Sequence, residues 1–335
     1  MTTRYDVLGI GNAIVDVISR EDDDFLVAQN LVKGSMQLID EARARQLFDA
    51  MGPATHTSGG SAANTVAGLA SLGAKPAFIG KVKDDEAGAR FAHDIRSLDV
   101  AFPTAFAKDG PATAMCLIAV TPDGERTMST YLGASQHLDA EDIDRETVEA
   151  AAITYLEGYL WDPAQAKEAF VKAARIAHGA DRLVALTLSD SFCVERYREE
   201  FISLLRTQTV DIVFANEAEL KSRYETSDFD AAVTALREET VLGVVTRSEK
   251  GALVVTREES LAVPASPIHS IVDSTGAGDL FAAGFLYGLS HDLDVRTAAH
   301  HGSLAAAHII QQVGARPQKN LRQHAIDNGL AVSAE

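Results

Sequence analysis

Positive charge is scarce in this sequence: 30 lysine and arginine side chains face 48 aspartate and glutamate side chains, a formal net charge of −18 over 335 residues. A chain this acidic carries no electrostatic footprint for a phosphate backbone or an anionic bilayer, so neither nucleic acid nor membrane is an expected partner. Cysteine is nearly absent. Cys116 and Cys193 are the only two, far apart and without C-x-x-C spacing, which excludes a disulfide framework and a thiolate metal site and suits a reducing compartment. No uncharged apolar run approaches the ~20 residues that cross a bilayer. The early apolar stretch Tyr5–Ile10 lacks the basic flank and cleavage site of a signal peptide, so no targeting signal is expected and the expected location is cytoplasmic. Repeats and low-complexity tracts are missing too.

What is present is a βαβ rhythm. Val7–Ile10, Ala77–Gly80, Ile153–Leu156, Leu183–Leu188, Ile212–Ala215 and Gly243–Thr246 read as buried strands. Amphipathic helices Ser61–Leu72, Ala87–Leu98, Pro163–Ala177 and Glu195–Leu205 alternate with them. The expected fold is α/β, a central mostly parallel sheet flanked by helices, with ligands beyond the carboxyl ends of the strands. Two segments break the rhythm: Asn12–Asp40, and the pair Thr113–Val120 and Thr127–Leu132 joined by Pro122-Asp-Gly124. They read as extended structure outside the main sheet, suited to a small β-rich lid. The polar tail after Arg316 is expected to end in a frayed terminus.

Three constellations carry chemistry. In Asp273-Ser-Thr-Gly-Ala-Gly-Asp279, two glycines let backbone N–H groups converge at the start of an apolar helix, which makes an anion site. Asp279 would sit in the first helical turn, where a carboxylate can take the proton of a hydroxyl attacking a phosphoryl group. The run Ser58-Gly-Gly-Ser-Ala-Ala-Asn64 opens another helix, and Ser61 and Asn64, three apart, share one side of its first turn. Read alone, it is a glycine turn with Ser61 as helix cap. The third, Gly9-Ile-Gly11-Asn-Ala-Ile-Val-Asp16, lacks the last glycine of a dinucleotide fingerprint and is not a phosphate-binding P-loop. Asp16 can bind sugar hydroxyls or stand at a strand end in solvent.

Gly59-Gly-Ser-Ala-Ala-Asn-Thr65 and Asp273–Asp279, in that order and separation, resemble the two signatures of the PfkB family of ribokinase-like carbohydrate kinases, with the likeness running from about Asp6 to Gln318. Asn216-Glu-Ala-Glu219 resembles the family's N-x-x-E motif, and Val245-Thr-Arg-Ser-Glu-Lys-Gly251 its nucleotide-binding strand and turn. Alone, Asn216 and Glu219 would read as a helix cap and a first-turn acid. The resemblance implies a single kinase domain over 1–335, with a lid from about 12–40 and 101–132. It implies ATP and Mg2+, with K+ a further candidate ion. Gly276, Ala277 and Gly278 would form the anion hole, Asp279 would be the catalytic base, and Asn216 and Glu219 would position the metal through its waters. Asn216, Thr246, Arg247, Gly251, Gly276 and Gly278 would meet the nucleotide.

For the acceptor, the N-terminal third is similar to the adenosine kinase branch, which implies transfer to the 5′-hydroxyl of adenosine. Asp16, Gly60, Ser61 and Asn64 would hold the ribose with Asn12 nearby, and Gln37 would meet the base. Met128, Leu132, Trp161 and Phe192 would wall a purine, with Met115 or Cys116 behind. Arg126 matches a lid arginine that swings toward the transferred phosphate; its plain alternative is an exposed hairpin residue. Thr275 departs from that branch and matches the sugar kinases, so ribose, fructose or another nucleoside stays open as acceptor. A nucleoside-binding regulator is the non-enzyme alternative. A monomer is the expected state, with a lid-paired dimer the alternative.

Overall fold

Apolar runs become central strands here because both faces of the sheet are covered. In Tyr5–Ile10, Val7 enters one hydrophobic cluster while Leu8 and Ile10 enter the other, the period-two division of a strand buried on both sides. A computed structural model describes residues 3–239 and 242–332. The strands among them are β1 Tyr5–Ile10, β2 Ile14–Arg20, β3 Met36–Leu38, β4 Ala54–Gly59, β5 Pro76–Ile79, β6 Ala114–Val120, β7 Arg126–Tyr131, β8 Ala151–Glu157, β9 Leu183–Thr187, β10 Ile212–Asn216, β11 Leu242–Thr246, β12 Ala252–Val255 and β13 Ser260–Val263.

The main sheet runs β13-β12-β11-β10-β9-β8-β1-β5. Strands β5, β1, β8, β9, β10 and β11 pair in parallel, and β12 and β13 close one edge antiparallel. Each of the six runs expected as buried strands lies in this sheet; the antiparallel pair β12 and β13 had no counterpart in the sequence reading. Parallel pairing puts the carboxyl ends of six strands along one edge, where an open α/β sheet binds its ligand. One face is covered by the helices Ser61–Ser71, Glu86–Ser97, Ala277–Ser290 and Val295–Ile309, the other by Ala164–Gly179, Ser191–Arg206 and Phe229–Glu239. The helix Leu321–Asp327 docks through Leu321 and Ala325. The expected frayed terminus lies outside the described residues.

A second sheet, β3-β7-β6-β2-β4, stands apart from the first. It contains the hairpin read from Thr113 to Leu132. The segment 12–40 is less extended than its composition suggests: Asp22 caps a short helix, Asp23–Ala28, by accepting from the Phe25 N–H. Strand β4, outside the expected lid segments, pairs with β2 to complete the sheet.

The helix Ala277–Ser290 runs through the centre, buried on nearly all sides. A Cβ at Gly284 would lie 2.4 Å from the backbone carbonyl of His301 on the helix Val295–Ile309, so only glycine lets the two helices approach this closely. Alanine at this position would gain ~1 kcal/mol of helix propensity, but the overlap is with backbone that cannot rotate away. Gly284→Ala is therefore expected to lower the unfolding free energy by about 1–3 kcal/mol, read from urea denaturation at constant m-value. A variant as stable as the parent would show that the helices separate without cost.

Candidate active site

Two helix N-termini meet at one carboxylate. Asp279 lies in the first turn of Ala277–Ser290, and its Oδ1 accepts from the Ser61 hydroxyl at 2.6 Å while Oδ2 accepts from Asn64 Nδ2 at 3.1 Å. Ser61 does not cap its own helix: the N-cap is Gly60, at φ +99°, and makes no side-chain cap bond. The plain reading of Ser61 as a cap therefore fails, and its hydroxyl is directed at Asp279 instead. The opposing helix starts at Gly276, which stands at φ +79° with Ala315 so close beneath it that a Cβ would lie 2.7 Å from the Ala315 Cβ. No side chain caps this helix, and the space over Gly278 is open. Gly276, Ala277 and Gly278 thus present a bare helix N-terminus, a site for an anion.

Asp16 shares the cleft. It projects from β2 against Gly59, and its charged neighbours are Arg316, Arg126 and Asp279. Loss of solvation is the largest influence on both carboxyls and pushes each up to about 6, Asp16 against the pull of the two arginines and Asp279 against its bonds from Ser61 and Asn64. Register places Asp16 beside Cys116, and Cys116 beside Thr130. Arg126 and Met128, four and two residues before Thr130, lie on that same face. Arg126 reaches across from the lid and pairs with Asp273, the first residue of the anion loop. It is mostly buried and is no bare hairpin residue. Asp273 also accepts from the N–H groups of Thr275 at 3.0 Å and Gly314 at 2.9 Å.

At the other end of the cleft, Asn216 ends β10 and forms a reciprocal capping box with Glu219. Both Glu219 oxygens are taken by Asn216, at 2.9 Å from its N–H and 2.5 Å from its Nδ2. Burial, with Asp190 adding to it, raises Glu219 to about 7 against those bonds. Among the described residues no group of three or more His, Cys, Asp or Glu could hold a metal ion. This donor set forms no protein cage; it fits Mg2+ as an ion carried on nucleotide phosphates and reached by Asn216 and Glu219 through water. Thr246 ends β11 beside Asn216. Arg247 is engaged by Glu217 at 3.0 Å and lies over the Phe229 ring, and Gly251, at φ +84°, lets the turn pass tightly over Val263–Ala265.

The structure does not bring every expected residue to the cleft. Gln37 pairs with Ser129, out of phase with Met128 and Thr130, and its amide donates to the Ser129 hydroxyl at 3.3 Å. It therefore lies on the lid face opposite Asp16; Met36 and Leu38 take the cleft-side positions of β3. Met115 falls on that opposite face as well, leaving Cys116 behind the wall. Trp161 is packed in the hydrophobic cluster with Phe170 and Phe201, its indole N–H donating to Glu200 at 2.8 Å. Phe192 is 64% exposed beneath the Arg196 guanidinium. Leu132 lies past the end of β7, where the chain turns into the 3-10 segment Gly133–His137, so its even spacing from Met128 has no strand to carry it.

Two residues were missed. Glu157 ends β8 and is buried beneath the opening of the helix Ser61–Ser71, with Oε1 accepting from Asn12 Nδ2 at 2.7 Å and Oε2 from the Ala62 N–H at 2.8 Å. Burial raises it to about 7. Its signal was an acid closing an apolar strand at the ligand edge. Arg316 donates from Nε to Asn64 Oδ1 at 3.4 Å and from Nη1 to the Ser58 hydroxyl. It stood in a polar tail with no periodic signal.

A bare helix N-terminus with a carboxylate in its first turn, at the ligand edge of a parallel sheet and beneath a β lid, is the architecture of a ribokinase-like phosphotransferase. A model of the pfkB family of carbohydrate kinases matches residues 32–321, and the chain belongs to that family. It is therefore an ATP-dependent phosphotransferase. An adenosine kinase structure from Sinorhizobium meliloti is 51% identical over 98% of this chain and 100% of that one, with a TM-score of 0.91. A probable sugar kinase from Rhizobium etli CFN 42 is 49% identical over the same shares, with a TM-score of 0.92. The adenosine kinase of Saccharomyces cerevisiae is 27% identical over 91% of this chain and 94% of its own. No helix among the described residues is long and apolar enough to cross a membrane.

A carboxyl raised above its usual 3.8 to about 6, as Asp279 is, costs stability once ionised. The penalty is absent below the unfolded pKa, grows as pH rises toward the folded one, and is full above it. Asp279→Asn is expected to raise the urea unfolding free energy by about 1–2 kcal/mol at pH 8, less than the full shift implies because Asp279 is only half-buried, with the gain vanishing toward pH ~4. An equal gain at both ends would clear the carboxylate charge of responsibility.

Proposed function

We propose that this kinase transfers the γ-phosphoryl group of ATP to the 5′-hydroxyl of adenosine. The observation that carries the reading is the Asp279 carboxylate, held by Ser61 and Asn64 at an uncapped helix N-terminus and facing a cleft that also contains Asp16. In the reaction, Asp16 accepts the ribose hydroxyls beside Gly60 and Asn64, and Asp279 takes the proton of the attacking 5′-hydroxyl. The N–H groups of Gly276–Gly278 meet the charge that develops on the phosphoryl oxygens. Mg2+, bound with the nucleotide, would neutralise phosphate charge, with Asn216 and Glu219 ordering its waters. Arg126 would leave Asp273 for the incoming phosphate as the lid closes. Met128, Leu38 and Ile118 on the cleft-side lid face supply apolar surface for the base.

Support for adenosine comes from the 51% identity, end to end, with the Sinorhizobium meliloti adenosine kinase. One observation favours a sugar acceptor: Trp161 is packed in the hydrophobic core, so the purine wall lacks one of its expected aromatics. A coupled ADP-release assay with Mg-ATP and adenosine, inosine, guanosine, ribose, fructose and fructose 6-phosphate separates the two. Adenosine is expected to give the highest kcat/KM, falling as pH drops below about 6 because Asp16 and Asp279 must be ionised. Asp279→Asn should lower kcat by about 10²–10⁴ while sparing acceptor binding. Dominant turnover of a free sugar would overturn the acceptor and leave the base in place.

Arg126→Ala should lower kcat about 10–100-fold with little change in acceptor KM, because the guanidinium is needed only as charge moves onto the phosphoryl group. Unchanged turnover would confine Arg126 to its pairing with Asp273.

A further inference from the structure

Arg316 faces Asp16 across the cleft and reaches both the helix Ser61–Ser71, through Asn64, and the edge strand of the lid sheet, β4, through Ser58. Its Nε donates to Asn64 Oδ1 at 3.4 Å, Nη1 donates to the Ser58 hydroxyl, and Nη2 is buried without a hydrogen-bond partner. Asp16 and Asp94 are the anions that face it. The residues before it are engaged as well: the Gly314 N–H holds Asp273, and Ala315 packs beneath Gly276. Three successive residues thus brace the anion loop, its floor and the acceptor side.

The two ends of an asparagine carboxamide have nearly the same shape, so its partners decide which end points where. A guanidinium has donors only. Facing Arg316, Asn64 must present Oδ1, and that turns Nδ2 toward Asp279, where it donates at 3.1 Å. Reversed, the amide oxygen would confront the Asp279 carboxylate, oxygen against oxygen.

We propose that Arg316 is a positioning residue of the acceptor site: its guanidinium locks the Asn64 carboxamide with the amino group on Asp279 and supplies the positive charge that faces Asp16. The inference rests on the reading of Asp16 and Asp279 as the groups that meet the acceptor. Asp16 is faced by Arg316, by Arg126 from β7, by Asp279 from the central helix and by the Cys116 thiol from β6. Of the two cations, only Arg316 is also hydrogen-bonded to Asn64.

The test compares Arg316→Met and Arg316→Lys with the parent from pH 5 to 8.5. Arg316→Met should raise acceptor KM about tenfold, lower kcat about tenfold, leave ATP KM within about twofold, and move the acid limb of acceptor kcat/KM to higher pH. Arg316→Lys should restore the position of that limb, since a charge again faces Asp16, while kcat stays low because an ammonium lacks the planar fork that braces Asn64. An unchanged acid limb in Arg316→Met, or full recovery by lysine, overturns the proposal even if Asp279→Asn behaves as a lost base.

A second measurement needs no turnover. Urea unfolding of Arg316→Met against parent should be less favourable to the variant at pH 8 than at pH 5, because Asp16 is ionised only at the higher pH, and this difference should disappear in an Asp16→Asn background. Equal effects at both pH values overturn the proposal whether or not any acceptor is phosphorylated.

Discussion

Everything at the cleft depends on how closely the helix Ala277–Ser290 is approached by its neighbours. A Cβ at Gly68 would lie 2.6 Å from Leu280, so glycine there draws the helix Ser61–Ser71 against the central one. That approach puts Ser61 and Asn64 within bonding distance of Asp279. Packed interiors do not deform continuously. Separating these helices by an ångström would break the bonds that hold Asp279 and leave its charge without donors.

The same closeness sets the electrostatics. Asp16, Glu157, Glu219 and Asp279 are all raised by burial, in a chain already 18 charges negative. Bonds from Asn12, Ala62, Ser61, Asn64 and Asn216 offset part of that cost. A fold selected for stability alone would not collect four such carboxyls along one edge of its sheet. Perturbed acids gathered in a cleft mark a functional site, and here they divide by location, with Glu219 beside Asn216 at the end of β10 and the other three around the helix openings at Gly60 and Gly276.

The lid follows a different logic. Its far face joins the hydrophobic core through Val15, Val17, Leu117 and Tyr131, while its cleft face mixes apolar side chains with Asp16 and Arg126. Arg126 ties it to the anion loop through Asp273. That pair would have to open for Arg126 to reach a phosphate, so in the proposed reaction lid and anion loop respond to the same ligand.

Much of this was legible in the residues. Six buried strands followed from apolar runs of the right length, and the two glycine-rich helix openings followed from their local composition, because strand period and helix start are decided by neighbours in sequence. Side-chain direction on the lid was not. Gln37 and Met128 looked like partners, but a one-residue difference in register puts them on opposite faces, and register is set by strands distant in the chain. Trp161 and Phe192 followed the core and the solvent for the same reason: composition says that an aromatic will pack, not against what. Glu157 and Arg316 gave little signal, since each owes its role to groups many residues away. The sequence by itself determined the α/β class, the anion loop and the identity of the carboxylate beside it, all products of local backbone preference. Only the tertiary structure decided which donors hold that carboxylate and which lid face meets the cleft, because those depend on distances between elements that no local pattern encodes.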